Sequence, residues 1–204
     1  MIDKSLEFLP IYFCKTDTKQ YQRYSLPEGY SFVFYKKGDE KRWAKIECEL
    51  GQFESESEAL DCFYNDFIKG QTLAPEERML FVKDDRGEYV ATASLWNGLF
   101  LGEDLPRVHW VAVSDKCTGK GIGKALISRI MQLYNELGYE GFICLLTATW
   151  YYPAISIYKK FGFEEYNGPR SPFDNVSDGD FCARNARAKE LVAKRLEAYS
   201  KRQG

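Results

Sequence analysis

Apolar residues along this chain follow two rhythms. The first is short, aromatic and β-branched, and marks strands. Leu9 to Cys14, Tyr30 to Tyr35 (YSFVFY), Met79 to Lys83, Tyr89 to Trp96 (YVATASLW), Arg107 to Val113 (RVHWVAV) and Phe142 to Thr147 (FICLLT) read this way. The polar DDRG between the third and fourth runs predicts a hairpin, and a Gly-containing loop follows Trp96. The second rhythm repeats every three or four residues and marks helices. Asp39 caps a helix with Trp43, Ile46 and Leu50 on one face, and Ser55 or Ser57 starts another with Leu60, Phe63, Tyr64 and Phe67 on one side. The strongest helical pattern runs from Gly121 to Leu137, with Ile122, Leu126, Ile130, Leu133 and Leu137 on one face and Gly138 as its stop. Pro153 to Phe161 predicts a short helix with proline in its first turn and Gly162 just past its end. Residues 164–178 read as loop, and residues 180–202 as a charged helix with a thin Val192, Leu196, Tyr199 stripe and a Glu190–Lys194 pair.

The order is strand, two helices, hairpin, strand, helix, strand, helix. It predicts an α/β fold: a mixed, mostly antiparallel central sheet flanked by helices. The near-continuous apolar run of FICLLT suits a strand in the middle of a covered sheet. A domain of residues 1–178 with a C-terminal helical extension, residues 179–204, accounts for the 204 residues. The charged extension reads as a docked or solvent-facing helix, with a homodimer contact as its other use.

Composition narrows the function. A hydrophobic fraction of 45% and a charged fraction of 28% are those of a soluble globular chain. Net charge is −2, which gives no overall pull towards nucleic acid or acidic membranes. The N-terminal residues lack the basic start and long apolar run of a signal peptide, and no stretch is apolar enough to span a membrane. Six cysteines without a C-x-x-C pair, and a single histidine, argue against a zinc site and for free, mostly buried thiols in a reducing cytoplasm. In that setting the N-x-S at Asn175 carries no glycan.

The segment VHWVAVSDKCTGKGIGKAL, Val108 to Leu126, concentrates the chemistry. A strand ends at Val113, and a helix begins among Gly119, Gly121 and Gly123. Glycines let a backbone turn sharply and approach a ligand, and a helix start offers outward N–H groups backed by the positive end of its dipole. Such a start holds phosphate well, and Lys120 and Lys124, with Lys116 nearby, add charge. A Walker A loop fails here, because Thr118 replaces its first glycine and Ala125 replaces its Ser or Thr. The spacing G-x-G-x-G also misses the dinucleotide fingerprint.

The loop resembles that of the GNAT superfamily of N-acetyltransferases, whose pattern is Gln or Arg, two residues, Gly, one residue, then Gly or Ala. Here it reads Thr118-Gly119-Lys120-Gly121-Ile122-Gly123, with Thr118 in place of the usual Gln or Arg. Downstream, AISIYKKFGF matches the family's second signature at Ala154, Tyr158, Gly162 and Phe163; Tyr151 stands where an Asn is often found. The two signatures lie in the right order and cover residues 75–166. The resemblance implies acetyl-CoA or another acyl-CoA as co-substrate, no metal, and acyl transfer to a primary amine of a small molecule or peptide by direct attack in a ternary complex. It further implies that Thr118, Gly119, Lys120, Gly121, Ile122, Gly123 and Lys124 hold the diphosphate. Val111, Ala112 and Val113 would pair with the pantetheine arm, and one of their N–H groups would polarise the thioester.

Tyr158 is the implied proton donor to the coenzyme A thiolate, and a neutral phenol suits that role. His109, on the strand where the family often carries a base, is the candidate to take the amine proton, with Glu103 and Asp104 as competitors in the preceding loop. Strand alternation puts His109 on one face with Val111 and Val113, and Trp110 and Ala112 on the other. On the acceptor side the candidates are Trp43, Phe53, Phe63, Tyr64, Trp96, Phe100, Trp150, Tyr151 and Tyr152. At least one of the last three is expected to line the cleft. A non-catalytic acyl-CoA sensor or interaction module is the alternative function.

Overall fold

The computed structural model describes residues 2–100, 103–170 and 176–200. Its strands are β1 (Pro10–Lys15), β2 (Tyr30–Phe34), β3 (Met79–Asp84), β4 (Tyr89–Phe100), β5 (Glu103–Val113), β6 (Ile143–Ala148) and β7 (Glu164–Glu165). Its helices are α1 (Glu40–Glu49), α2 (Glu56–Phe67), the single turn α3 (Pro75–Arg78), α4 (Ile122–Glu136), α5 (Tyr152–Lys160) and α6 (Asp178–Ser200). Among the described residues seven strands are hydrogen-bonded in the order β2-β3-β4-β5-β6-β1-β7. The β2–β3, β3–β4, β1–β6 and β1–β7 pairs are antiparallel, and β5–β6 is parallel at Arg107 and Cys144. The sheet is therefore mixed, and mostly antiparallel, as the element order predicts.

The chain forms two compact units. The first comprises Met1–Tyr21, Asn97–Arg107 and Glu140–Gly204. In it α6 docks through Phe181, Ala188 and Val192, all buried, with Phe181 against Tyr12 and Tyr199 against Tyr152. Arg195 bonds to Asp3 and Ser5, and Arg187 lies beside Glu7, so the charged face of α6 is partly spent on the N-terminal segment. Docking is thus the observed use of this helix.

The second unit comprises Gln22–Trp96 and Val108–Tyr139. Its core joins Trp43, Ala44 and Ile46 of α1 to Ala59, Phe63 and Phe67 of α2, over Met79, Phe81, Trp96 and Ala112 of the sheet. Ser55 caps α2 by accepting from the Glu58 N–H at 3.2 Å. On α4, Ile122, Leu126, Ile130 and Leu133 are buried, each worth roughly 1.5–3 kcal/mol of apolar transfer. Four sequence expectations change here. Tyr64 is exposed, because Ala59, Phe63 and Phe67 already define the buried face of α2. Leu137 is likewise exposed, having fallen past the last turn of α4. The loop expected after Trp96 is largely strand: β4 continues to Phe100 and β5 begins at Glu103. The expected 164–178 loop contains β7, which pairs with β1. Among the described residues no helix is long and apolar enough to cross a membrane. Asn175 and the last residues of the expected 180–202 helix lie outside the described residues.

Candidate active site

The glycine loop takes the shape its residues require. After β5 a short 3-10 turn, Asp115–Cys117, is closed by Cys117 N–H to the Ser114 carbonyl at 2.8 Å. Gly119 has φ 83° and Gly121 φ 87°, in the left-handed region that costs other residues about 1–2 kcal/mol. An added Cβ at either would meet nothing within 4 Å, so backbone conformation, not crowding, demands glycine. Gly121 is the N-cap of α4 and supplies no side-chain cap. The helix start thus presents its N–H groups with no capping side chain over them, an arrangement that fits a diphosphate. Ile122 is buried, so it can serve a ligand only through its backbone. Thr118 is exposed and extended.

Two tyrosines that the sequence motif does not include steer the lysines. Lys120 Nζ donates to the Tyr30 hydroxyl at 2.9 Å, a bond that holds its ammonium above the usual lysine value. Lys124 Nζ stands 5.5 Å from the Tyr24 ring centroid, and the Tyr24 N–H donates to Ser128 Oγ of α4 at 3.0 Å. Beside the loop opens a cleft of about 560 Å³, bounded by Tyr30, Lys116 and Lys120, by Lys45 and Glu49 of α1, and by the turn after β3. The residues of the His109 cluster described next do not line it.

Before the loop, β5 departs from a regular strand. Trp110 has φ 47°, the one non-glycine in the left-handed region among the described residues. Strict alternation therefore fails at His109. Trp110 packs on Trp43 and Phe53 at 5.1 and 5.6 Å, and Ala112 joins the same core, on the face alternation assigns them. His109 does not point oppositely: its ring lies 5.7 Å from Phe67, and its Nε2 is 3.2 Å from Asp66 Oδ2 on α2. The same Oδ2 accepts from Trp110 Nε1 at 2.7 Å. Two successive residues meet one carboxylate because the local kink turns both towards α2. Ser94 Oγ donates to the His109 carbonyl at 2.9 Å and ties the kink to β4. Nothing in the local sequence singles out Asp66, 43 residues before His109.

The remaining candidates divide. Glu103 and Asp104 lie on β5 and not in a loop; both are exposed, and Asp104 accepts from Asn97 at 3.4 Å. Trp43, Phe63 and Trp96 are core. The Phe100 side chain lies outside the described residues. In the first unit Trp150 donates from Nε1 to the Leu6 carbonyl at 2.6 Å and packs on Phe8, while Tyr152 packs on Tyr199. Those two aromatics of the Trp150–Tyr152 run are therefore held by packing on the chain's own ends. Tyr158, on α5, is buried at 6% exposure against Phe163, and burial pushes its phenol well above the ordinary tyrosine value, so it keeps its proton.

The sequence model described as the acetyltransferase (GNAT) family matches residues 40–163. The chain belongs to the GNAT acetyltransferase family. No curated protein matches the sequence. Among solved structures, a GCN5-related N-acetyltransferase from Sphaerobacter thermophilus superposes with a TM-score of 0.59 at 20% identity, covering 78% of this chain and 49% of its own. A GNAT-family acetyltransferase from Colwellia psychrerythraea gives 0.57 at 12% identity, with 78% and 53% covered. A tandem GNAT protein from the clavulanic acid biosynthesis pathway gives 0.54 at 13%, with 78% and 50% covered. The chain spans about half the length of these structures, and at such identities the likeness is one of fold. GNAT enzymes use acetyl-CoA as co-substrate, and the matched span contains the glycine loop, the kinked β5 and Tyr158.

Proposed function

We propose that this GNAT protein transfers an acetyl group from acetyl-CoA to a primary amine of a small molecule or peptide. The observation that carries the reading is the glycine loop: Gly119 and Gly121 in left-handed backbone, opening α4 with no capping side chain, inside the span that matches the family. The N–H groups of Gly119 and of Gly121 to Lys124 bind the diphosphate, the Lys120 N–H being bonded to the Cys117 carbonyl, and the Lys120 and Lys124 side chains supply charge. The backbone of Val111, Ala112 and Val113 orients the pantetheine arm and polarises the thioester carbonyl. His109 takes a proton as the amine nitrogen attacks that carbonyl, and Tyr158 returns one to the sulfur as the C–S bond breaks. An imidazole exchanges protons near neutrality, and a neutral phenol carries a hydrogen to give.

A coenzyme A release assay tests this across amines, amino acids, polyamines, aminoglycosides and peptides. Amine-dependent release of free thiol is the expected result. Coenzyme A binding without release against the whole panel supports the acyl-CoA sensor instead.

A further inference from the structure

Asp66 touches both residues of the kink, and its role follows from which atoms carry hydrogen. The indole Nε1 of Trp110 can only donate, so Oδ2 of Asp66 is an acceptor at that contact. With Asp66 ionised it has no hydrogen to give, and the 3.2 Å contact is then a donation from His109 Nε2. In a neutral imidazole with hydrogen on Nε2, the nitrogen that accepts a proton is Nδ1. The carboxylate is held in turn: Trp110, its second donor, is wedged between Trp43 and Phe53. The left-handed backbone at Trp110 is thus bound from both sides, as strained residues at functional sites require.

We propose that Asp66 is a positioning residue for acyl transfer: it fixes His109 as the Nε2–H tautomer, so that Nδ1 takes the amine proton, and it stabilises the imidazolium that results. This rests on the proposed acetyl transfer and on His109 as its base. Asp66 need not touch the substrate; it acts through the ring. Cys62 on α2 and Glu47 on α1 are titratable groups of the same two helices. Burial, helped by the charges of Asp66 and Glu47, pushes the Cys62 thiol up to about 11, so it stays neutral. Glu47 is fully buried and is held as the neutral acid up to about 8. Asp66 is the carboxylate in direct contact with the ring.

The test uses the full chain and exploits its single histidine, which gives one unambiguous set of imidazole nitrogen signals. Long-range proton–nitrogen NMR of the wild type at pH above the histidine titration is expected to report the Nε2–H tautomer. Asp66→Asn, which can present an N–H to the ring, is expected to shift it towards Nδ1–H. In amine acetylation, Asp66→Asn is expected to lower kcat ~100-fold or more, by the loss typical of a displaced general base. The KM for acetyl-CoA should stay within about twofold, and the acidic limb of the pH profile should move down because the neighbouring negative charge is gone. Trp110→Phe keeps the packing, removes one donor, and should cost only a few-fold. A wild-type Nδ1–H tautomer, or Asp66→Asn with wild-type kcat and pH profile, overturns the proposal. Absence of any amine-dependent turnover in the wild type defeats the acetyl-transfer reading instead, and the NMR experiment still decides the tautomer.

Discussion

The two halves of the Val108–Leu126 segment solve the same problem by opposite means. Both place backbone in the left-handed region. The loop half obtains it from Gly119 and Gly121, which adopt it without strain, and nothing crowds them. The strand half obtains it from Trp110, a bulky residue that adopts it only because Asp66, Trp43 and Phe53 hold its side chain. A cradle for a common anion can be written in local residues. A side chain that must face one direction needs partners from elsewhere in the fold.

Variants can break each half separately. The largest effect is expected from His109→Ala, which should lower amine acetylation ~100-fold or more while leaving acetyl-CoA affinity intact; rapid-quench or steady-state kinetics with separate binding measurements check the split. In the loop, Gly121→Ala should do the reverse. Forcing a Cβ into φ 87° costs about 1–2 kcal/mol, which is roughly a tenfold loss in acetyl-CoA affinity when the loop shifts to relieve it. Equal effects of both variants on affinity and turnover would erase the contrast.

A third variant probes the helical layer behind the kink. Glu47 lies one turn along α1 from Trp43, is buried at 1% exposure, and its Oε1 has no hydrogen-bond partner. Burial raises its folded pKa from 4.5 to about 8. The folded state therefore holds a proton that the unfolded state releases, and stability contributed by this group falls as pH rises from 4.5 to about 8. Glu47→Gln should remove that slope, so urea denaturation at pH 5, 7 and 9 should show the variant gaining on the wild type as pH rises. The smallest effect is expected from Lys120→Ala. Its ammonium is exposed, and removing it should weaken acetyl-CoA binding only a few-fold, with most of that loss screened at high salt.

The same contrast explains what could be read in advance. Glycine spacing, apolar periodicity and the second signature around Tyr158 are local, and they place the loop, α4, α5 and the strands β1 to β6 within a few residues. The kink at Trp110 has no local mark, because its residue type argues against the conformation it adopts. Asp66 reads as one more polar position on an amphipathic helix, and only the packing of α2 on β5 brings it to His109. Tyr24 and Tyr30 meet the loop lysines for the same reason: the contacts span long sequence separations. Trp150 and Tyr152 mislead in the opposite sense, since their partners, Leu6, Phe8 and Tyr199, lie near the chain's two ends.

The central claim, that the loop opening α4 holds the diphosphate of acetyl-CoA, is tested most directly by isothermal titration of the wild-type chain with acetyl-CoA, ATP and NAD. The account predicts that acetyl-CoA binds more tightly than either nucleotide and that Gly121→Ala weakens that binding selectively. Tighter binding of ATP or NAD, or acetyl-CoA binding untouched by Gly121→Ala, would contradict it.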